Sequence, residues 1–194
     1  IATLTAASTT FAQDLTLQNF LAKPEHFGVT STLIEGDKEV LLVNAQFSKS
    51  EALRIAADIL DSGKTLKTIF VSYGDPDFYF GLDVFKQYFP NVQIIATPET
   101  VKHIQDTQAL KVDYWGPKMG ANAPSKIIVP QAYTAKTLKL EDVSAKIKVF
   151  GRGVILGAQN RPQEGRRGEQ TRLRRRYEPK KVSREFQEAP KKRQ

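Results

Sequence analysis

Apolar segments of strand length alternate with segments of helix length through the middle of this sequence. Strands are predicted in a hairpin over 29–45 and in five further segments, at 66–72, 92–97, 126–130, 136–142 and 145–151. Strand, helix, strand, helix, strand, helix in regular succession is typical of an α/β fold. In such a fold the strands are parallel and the crossovers are right-handed.

Three helices are predicted between these strands, and two of them have clear start signals. Ser48 and Glu51 form a capping box at the start of the first helix. Thr97 caps the third helix, which has Pro98 in the favoured first position. The second helix is predicted over 78–88, so the alternating pattern continues without a break.

Charge and composition change abruptly near Gly151. Residues 151–194 contain 14 Lys and Arg against 5 Asp and Glu, which gives +9, whereas residues 1–150 contain 15 against 16, which gives −1. The basic segment has few apolar residues and no sustained period, so it is predicted to be disordered. We therefore predict an α/β domain over 15–150 and a basic tail over 151–194.

Residues 1–14 are small, apolar and hydroxylated, and they read as the remnant of a secretory signal peptide. Cleavage is expected near Ala12 and Gln13. A flexible, Thr-rich terminus is the alternative interpretation. No apolar run reaches the roughly 18 residues that span a bilayer. The sequence thus predicts a secreted or periplasmic protein without a membrane span.

A polar loop over 72–78 follows a buried strand, in the position where open α/β sheets carry their sites. Asp75 and Asp77 are separated by one residue in this loop, so both carboxylates can point towards the same hard cation. The same residues also fit a structural role, with Asp77 as a helix N-cap and Asp75-Pro76 as a turn. The chain has no Cys and two His, which excludes thiolate sites and histidine-rich sites built from this chain alone.

Several segments taken in order resemble the N-terminal half of the metallo-β-lactamase superfamily. They read "LLVNAQF", "TIFVSYGDPDFYFG", "VQIIATPETVKHI" and "YWGPKMGANAPSKIIVP". More narrowly, they resemble exported hydrolase-like members whose loop reads His-Gly-Asp-Pro-Asp. The resemblance covers about residues 15–150. It implies half of a four-layer αββα sandwich, zinc or another divalent metal as cofactor, and metal-activated water that hydrolyses a small ester- or amide-type substrate.

The family's ligand motif, His-x-His-x-Asp-His, aligns with the loop without a gap and places the motif's glycine at Gly81. Its four ligand positions fall on Tyr73, Asp75, Asp77 and Phe78, and only Asp77 keeps the family's residue type. The resemblance therefore implies Asp75 and Asp77 as metal ligands and Asp77 and Tyr73 as catalytic residues. Tyr73 is expected to donate a hydrogen bond, because its phenol keeps its proton to about pH 10.

Other family positions depart further from the pattern. Asn44 stands where the family has an Asp after the preceding strand, and neither His26 nor His103 matches a ligand position. Residues 152–194 contain no His and no Asp. The expected function is therefore a metallo-hydrolase-like protein that is impaired or inactive. A non-enzymatic binding or interaction protein is the alternative.

Half of a sandwich is expected to leave the inner face of its sheet without a partner, and such a face marks an interface or an aggregation hazard. Three explanations compete: a truncated or frame-shifted product, a homodimer that covers the face, or a small domain with a nucleic-acid-binding arm. The abrupt change near Gly151 favours the first explanation. Interspersed acids and few aromatic residues in the tail argue against a nucleic-acid role.

Overall fold

The computed structural model describes residues 15–141 and, for backbone only, the segments 143–150 and 153–158. The chain divides into two compact units, residues 1–160 and residues 161–194, and the second unit lies outside the described residues. The predictions for residues 1–14 and for the tail beyond 158 also lie outside them.

A six-stranded mixed sheet forms the centre of the described region, with the strand order β1-β2-β3-β4-β5-β6. Its strands are β1 (Thr16–Leu21), β2 (Thr30–Glu35), β3 (Glu39–Val43), β4 (Thr65–Val71), β5 (Gln93–Ala96) and β6 (Gln131–Ala132). The first three strands pair antiparallel, and β3 to β6 pair parallel. The predicted α/β class and the hairpin over 29–45 are therefore confirmed.

The strand predicted at 126–130 is wrong, because β6 has only two residues and they follow that segment. Its register pairs Ile95 with Gln131 and Ala96 with Ala132. Pro130 has no N–H to donate to a strand ladder, which limits pairing before Gln131. The neighbouring strand β5 is itself only four residues long, so it offers few partners.

Four α-helices connect these strands: α1 (Lys49–Asp61), α2 (Pro76–Tyr79), α3 (Leu82–Tyr88) and α4 (Pro98–Met119). The N-caps predicted at Ser48 and Thr97 are present, since the Ser48 side chain accepts from the Glu51 amide and the Thr97 side chain accepts from the Thr100 amide. Only this half of the capping box at Ser48 is seen in the described region, because the Glu51 carboxylate pairs with Arg54 and His26. The single helix predicted over 78–88 is instead two helices that meet at Gly81. No helix in the described region is long and apolar enough to cross a membrane.

The helices cover one face of the sheet and form the larger core. Its fully buried members include Leu42, Ile69 and Val71 from the sheet and Ile59 and Phe85 from the helices. Since each large apolar side chain that is fully buried contributes roughly 1.5–3 kcal/mol, this layer fixes the helices and the loops between them. The loop after β4 is thus held by a rigid scaffold.

The opposite face of the sheet carries a second apolar core. Ile34, Leu41, Phe70 and Ile95 are each at most 3% exposed, and they cluster with residues of β7 (Thr137–Leu140). The strand β7 belongs to a separate antiparallel sheet with β8 (Val143–Phe150) and β9 (Gly153–Ala158). The expectation of an exposed inner face is therefore corrected, because these side chains are buried.

The strand β9 lies inside the segment that composition predicts to be disordered. Its backbone pairs antiparallel with β8, from Phe150 and Gly153 to Ala145 and Ala158. Low hydrophobicity averaged over the whole tail hides this short apolar stretch at its beginning. Regular structure therefore continues to Ala158, eight residues beyond the predicted end of the domain.

Candidate functional site

Asn44 fixes the point where the loop leaves β4. Its side-chain oxygen accepts a hydrogen bond from the Ser72 amide at 3.0 Å, and its own amide donates to the Phe70 carbonyl at 2.9 Å. The backbone of Asn44 is left-handed, with φ 66°, a conformation that Asn tolerates better than most residues. At the position where the resemblance expects an acidic residue, the structure thus has an asparagine that is hydrogen-bonded to the backbone at the end of β4.

Asp75 occupies the N-cap position of α2, and Asp77 lies in the first turn of that helix. The prediction that Asp77 is the N-cap is therefore corrected, because Pro76 rather than Phe78 is the first helical residue. The Asp75 carboxylate makes no capping hydrogen bond. Instead, its Oδ1 lies 3.1 Å from the Nζ of Lys111, which reaches the loop from α4.

The Lys111 ammonium has three acceptors around it. It donates to the Gly74 carbonyl at 2.7 Å and to Asp75 Oδ1, and it lies 3.2 Å from His103 Nε2. Because an ammonium group only donates, His103 Nε2 is the acceptor in this contact. The Lys111 side chain is only 18% exposed, so its charge is held in the loop rather than in solvent.

Asp77 is partly buried beside this cluster. Burial, and to a smaller extent the negative charge of Asp75, raise the pKa of Asp77 to about 6. Its own backbone amide and the charge of Lys111 act in the opposite direction. The Asp77 carboxyl therefore holds its proton into mildly acidic conditions, in contrast to an exposed aspartate.

Tyr73 is part of a small aromatic group at the mouth of the loop. Its ring meets Phe78 edge to face, with centroids 5.8 Å apart, and stacks on His103 at 6.2 Å. The structure thus brings Tyr73, Asp75 and Asp77 into one region, together with His103 and Lys111. The catalytic and metal-binding roles that the resemblance implies for the first three stay predictions.

The metal ion that the resemblance implies does not fit this set of residues. Within residues 15–141, no three His, Asp or Glu side chains are grouped as metal ligands. A catalytic zinc site in proteins uses three such ligands and keeps one position open. Here one carboxylate is already paired with an ammonium group, and Phe78 has no ligand atom. The donors and the charge both oppose a divalent ion.

Sequence reasoning missed Lys111 and underestimated His103, whose Nε2 lies 3.7 Å from Asp75 Oδ1. The two residues are eight positions apart, about two helical turns, and so they share one face of α4. That helix begins at the carboxyl end of β5, the strand next to β4. The sequence signal that could have identified both residues is their spacing on one face of α4, close to the loop over 72–78.

Tyr79 is 1% exposed, and its hydroxyl has no hydrogen-bond partner among the described residues. Burial, with the nearby charge of Asp75, raises the pKa of Tyr79. We expect Tyr79→Phe to increase the free energy of unfolding by about 1 kcal/mol, because an unsatisfied buried hydroxyl is removed. Urea unfolding measures this change. Tyr88→Phe, at a half-exposed position, is the neutral control, and a destabilised Tyr79→Phe protein would contradict the prediction.

Comparison with known proteins gives similarity at the level of structure. No protein-family model matches the chain, and no curated protein sequence matches it. MEM-A1, a subclass B3 metallo-β-lactamase from a soil metagenome library, is 18% identical with a TM-score of 0.50, over 70% of this chain and 53% of that enzyme. BLEG-1, a B3 metallo-β-lactamase, is 12% identical with a TM-score of 0.55, over 74% of this chain and 67% of that enzyme.

At these identities the similarity concerns the fold, and the chain spans about half the length of the first enzyme. The mixed sheet and the helices on one of its faces agree with the half sandwich that the sequence resemblance implies, whereas the second sheet goes beyond that expectation. The described part of this chain resembles part of the metallo-β-lactamase fold.

Proposed function

We propose that this chain is a metallo-hydrolase-like protein whose hydrolytic site is impaired, and that it acts by binding a small molecule. The observation that supports this proposal is the Lys111 ammonium, held between the Gly74 carbonyl, Asp75 Oδ1 and His103 Nε2. It places a resident positive charge in the loop where the fold family carries its metal ligands. The fold then serves as a scaffold rather than as a metal-dependent catalyst.

Electrostatics explains why the ammonium and a divalent ion exclude each other. Two unit charges 4 Å apart repel by roughly 4 kcal/mol at the effective dielectric constant of a protein surface. A metal bound to Asp75 Oδ1 would lie near the ammonium that contacts the same oxygen at 3.1 Å. Binding of a metal ion would therefore require the Lys111 ammonium to leave its three acceptors. A metal ion bound to Asp75 Oδ1 could not also satisfy the other two.

Zinc binding by the purified full chain tests this proposal. After incubation with excess zinc and gel filtration, we expect the protein to retain less than about 0.1 zinc per chain. Lys111→Met keeps the aliphatic stem and removes the charge. We expect this variant to bind zinc at least about tenfold more tightly, because Asp75 and His103 are released. Elemental analysis and calorimetric titration measure the two quantities.

The matched control is Lys102→Met, on the same helix, since Lys102 is exposed and pairs with Asp106 at 2.7 Å. It should leave zinc binding unchanged. About one zinc per chain in the unchanged protein, lost in Asp75→Asn, would overturn the proposal. That result would favour the other candidate function, in which Asp75 and Asp77 hold a divalent metal and Tyr73 assists hydrolysis.

We also propose export from the cytoplasm, supported by the composition of residues 1–14. Cell fractionation of the expressed chain tests it. Homodimer formation remains a proposal as well, and so does the division into a domain over 15–150 and a basic tail over 151–194, although β9 extends regular structure to Ala158. The buried inner face of the sheet offers no support for a dimer through that surface.

A further inference from the structure

A surface cavity of about 220 Å³ is lined by residues outside the loop over 72–78. Its walls come from the 3-10 helix over Pro24–His26, from the start of α1 and from the C-terminal end of α4. Apolar cavities of about 150 Å³ take up a benzene molecule. The cavity therefore has room for a single substituted ring.

Three aromatic rings form the apolar wall of this cavity. Phe27 meets Phe47 edge to face with centroids 5.0 Å apart, and both rings meet Trp115 in the same way at 5.4 and 5.3 Å. Phe47 is buried and anchors the group, whereas Phe27 is 55% exposed at the cavity. Ring edges and faces of this kind favour a flat aromatic ligand over an aliphatic chain.

The backbone of Phe27 supplies a second, independent observation. Its φ is +66°, a left-handed conformation that is an outlier for a bulky side chain. Such strained residues cluster at ligand clamps, where the strain is maintained because it positions a side chain. Here Phe27 is the C-cap of the 3-10 helix, where its amide donates to the Pro24 carbonyl at 3.0 Å. This helix end places the half-exposed Phe27 side chain against Trp115, at the edge of the cavity that it lines.

Charged and polar groups on the rim of the cavity determine which head group a bound ligand can carry. Lys118 lines the cavity, and its ammonium lies 3.0 Å from the ring centroid of Tyr114 and donates to the Tyr114 carbonyl at 3.2 Å. The Asn122 side chain uses its oxygen to accept from the Ser50 amide, which leaves its NH₂ group as a donor. Glu25, on the same rim, is the opposing negative charge.

From this geometry we propose that the cavity binds a small aromatic carboxylate, with the ring against Phe27 and Trp115 and the carboxylate on Lys118 and Asn122. An ammonium and an amide NH₂ group both donate to a carboxylate, and the ammonium repels a cationic ligand. This inference rests on the proposed binding function and names its ligand class. None of these residues belongs to the loop over 72–78, so its failure leaves the zinc result standing.

Trp115 is the only tryptophan of the chain, so its fluorescence reports directly on this cavity. The test uses three ligands with one ring and different head groups: benzoate, benzyl alcohol and benzylamine. We expect a saturable change with benzoate at a Kd of about 1 mM, which is reasonable for so small a ligand. Benzyl alcohol should bind about tenfold more weakly, and benzylamine should not saturate. N-acetyltryptophanamide corrects for collisional quenching.

Two rim variants test the charge assignment. Lys118→Met should weaken benzoate about tenfold and leave benzyl alcohol unchanged, whereas Glu25→Gln should tighten benzoate by about two- to threefold. Lys102→Met, elsewhere on α4, should change neither ligand. The proposal is overturned by no saturation with benzoate up to about 50 mM. It is also overturned by benzylamine that binds as well as benzoate, or by unchanged benzoate affinity in Lys118→Met.

Discussion

Gly81→Ala is expected to lower the free energy of unfolding by about 3 kcal/mol or more, and the melting temperature by roughly 10 °C. Gly81 lies between α2 and α3, and its amide donates to the Gln46 carbonyl at 3.0 Å. A Cβ added there would overlap the Ala45 carbonyl oxygen and lie 2.7 Å from Ala52 Cβ. The Ala45 carbonyl belongs to the backbone and cannot rotate away as a side chain can. The backbone segments around Gly81 and Ala45 must therefore move apart.

Gly74→Ala is the matched comparison, because it lies on the same loop and its added Cβ also meets a neighbour. The nearest atoms there all belong to the His103 side chain, the closest at 2.5 Å, and that side chain is 46% exposed. Rotation of the imidazole relieves this contact, so we expect a loss of at most about 1 kcal/mol. Urea or thermal unfolding of both variants measures the difference. Equal losses would contradict the backbone-overlap explanation at Gly81.

Local chemistry explains why much of the fold was predictable from sequence. The caps at Ser48 and Thr97 each depend on one side chain and on the backbone amide three residues later, and both appear in the structure. The alternation of strands and helices, and the motif glycine at Gly81, are likewise short-range patterns. By contrast, the break between α2 and α3 depends on the close approach of Gly81 to Ala45, more than 30 positions earlier.

The candidate site was less predictable because its charges come from distant positions. The loop supplied Asp75 and Asp77, but the cation that pairs with Asp75 comes from Lys111, 36 residues later. A motif that records only ligand positions gives no information about a lysine on another helix. The burial of the inner sheet face was unpredicted for a similar reason. The strand β7 packs on Ile34 and Phe70, and it lies outside the segments that carry the resemblance.

Asp77→Asn is expected to stabilise the protein at pH 8 and to have little effect at pH 4. Burial, together with the charge of Asp75, raises the pKa of Asp77 from 3.8 to about 6. Between these two values the native state keeps a proton that the unfolded chain has released. Stability from this group is therefore present below about pH 4 and is lost as the pH rises through 6. Since each unit of pKa shift corresponds to about 1.4 kcal/mol, ionised Asp77 costs on the order of 2–3 kcal/mol at pH 8.

The informative quantity is the difference in free energy of unfolding between Asp77→Asn and the unchanged protein, measured in urea from pH 4 to pH 8. Other carboxylates titrate in both proteins and cancel in this difference, which should rise by about 2 kcal/mol with its midpoint between pH 5 and 6. Asp106→Asn, at an exposed ion pair on α4, should give a flat difference within about 0.5 kcal/mol. A flat difference for Asp77→Asn as well would mean that its carboxyl is solvated like Asp106, and that burial does not set its charge.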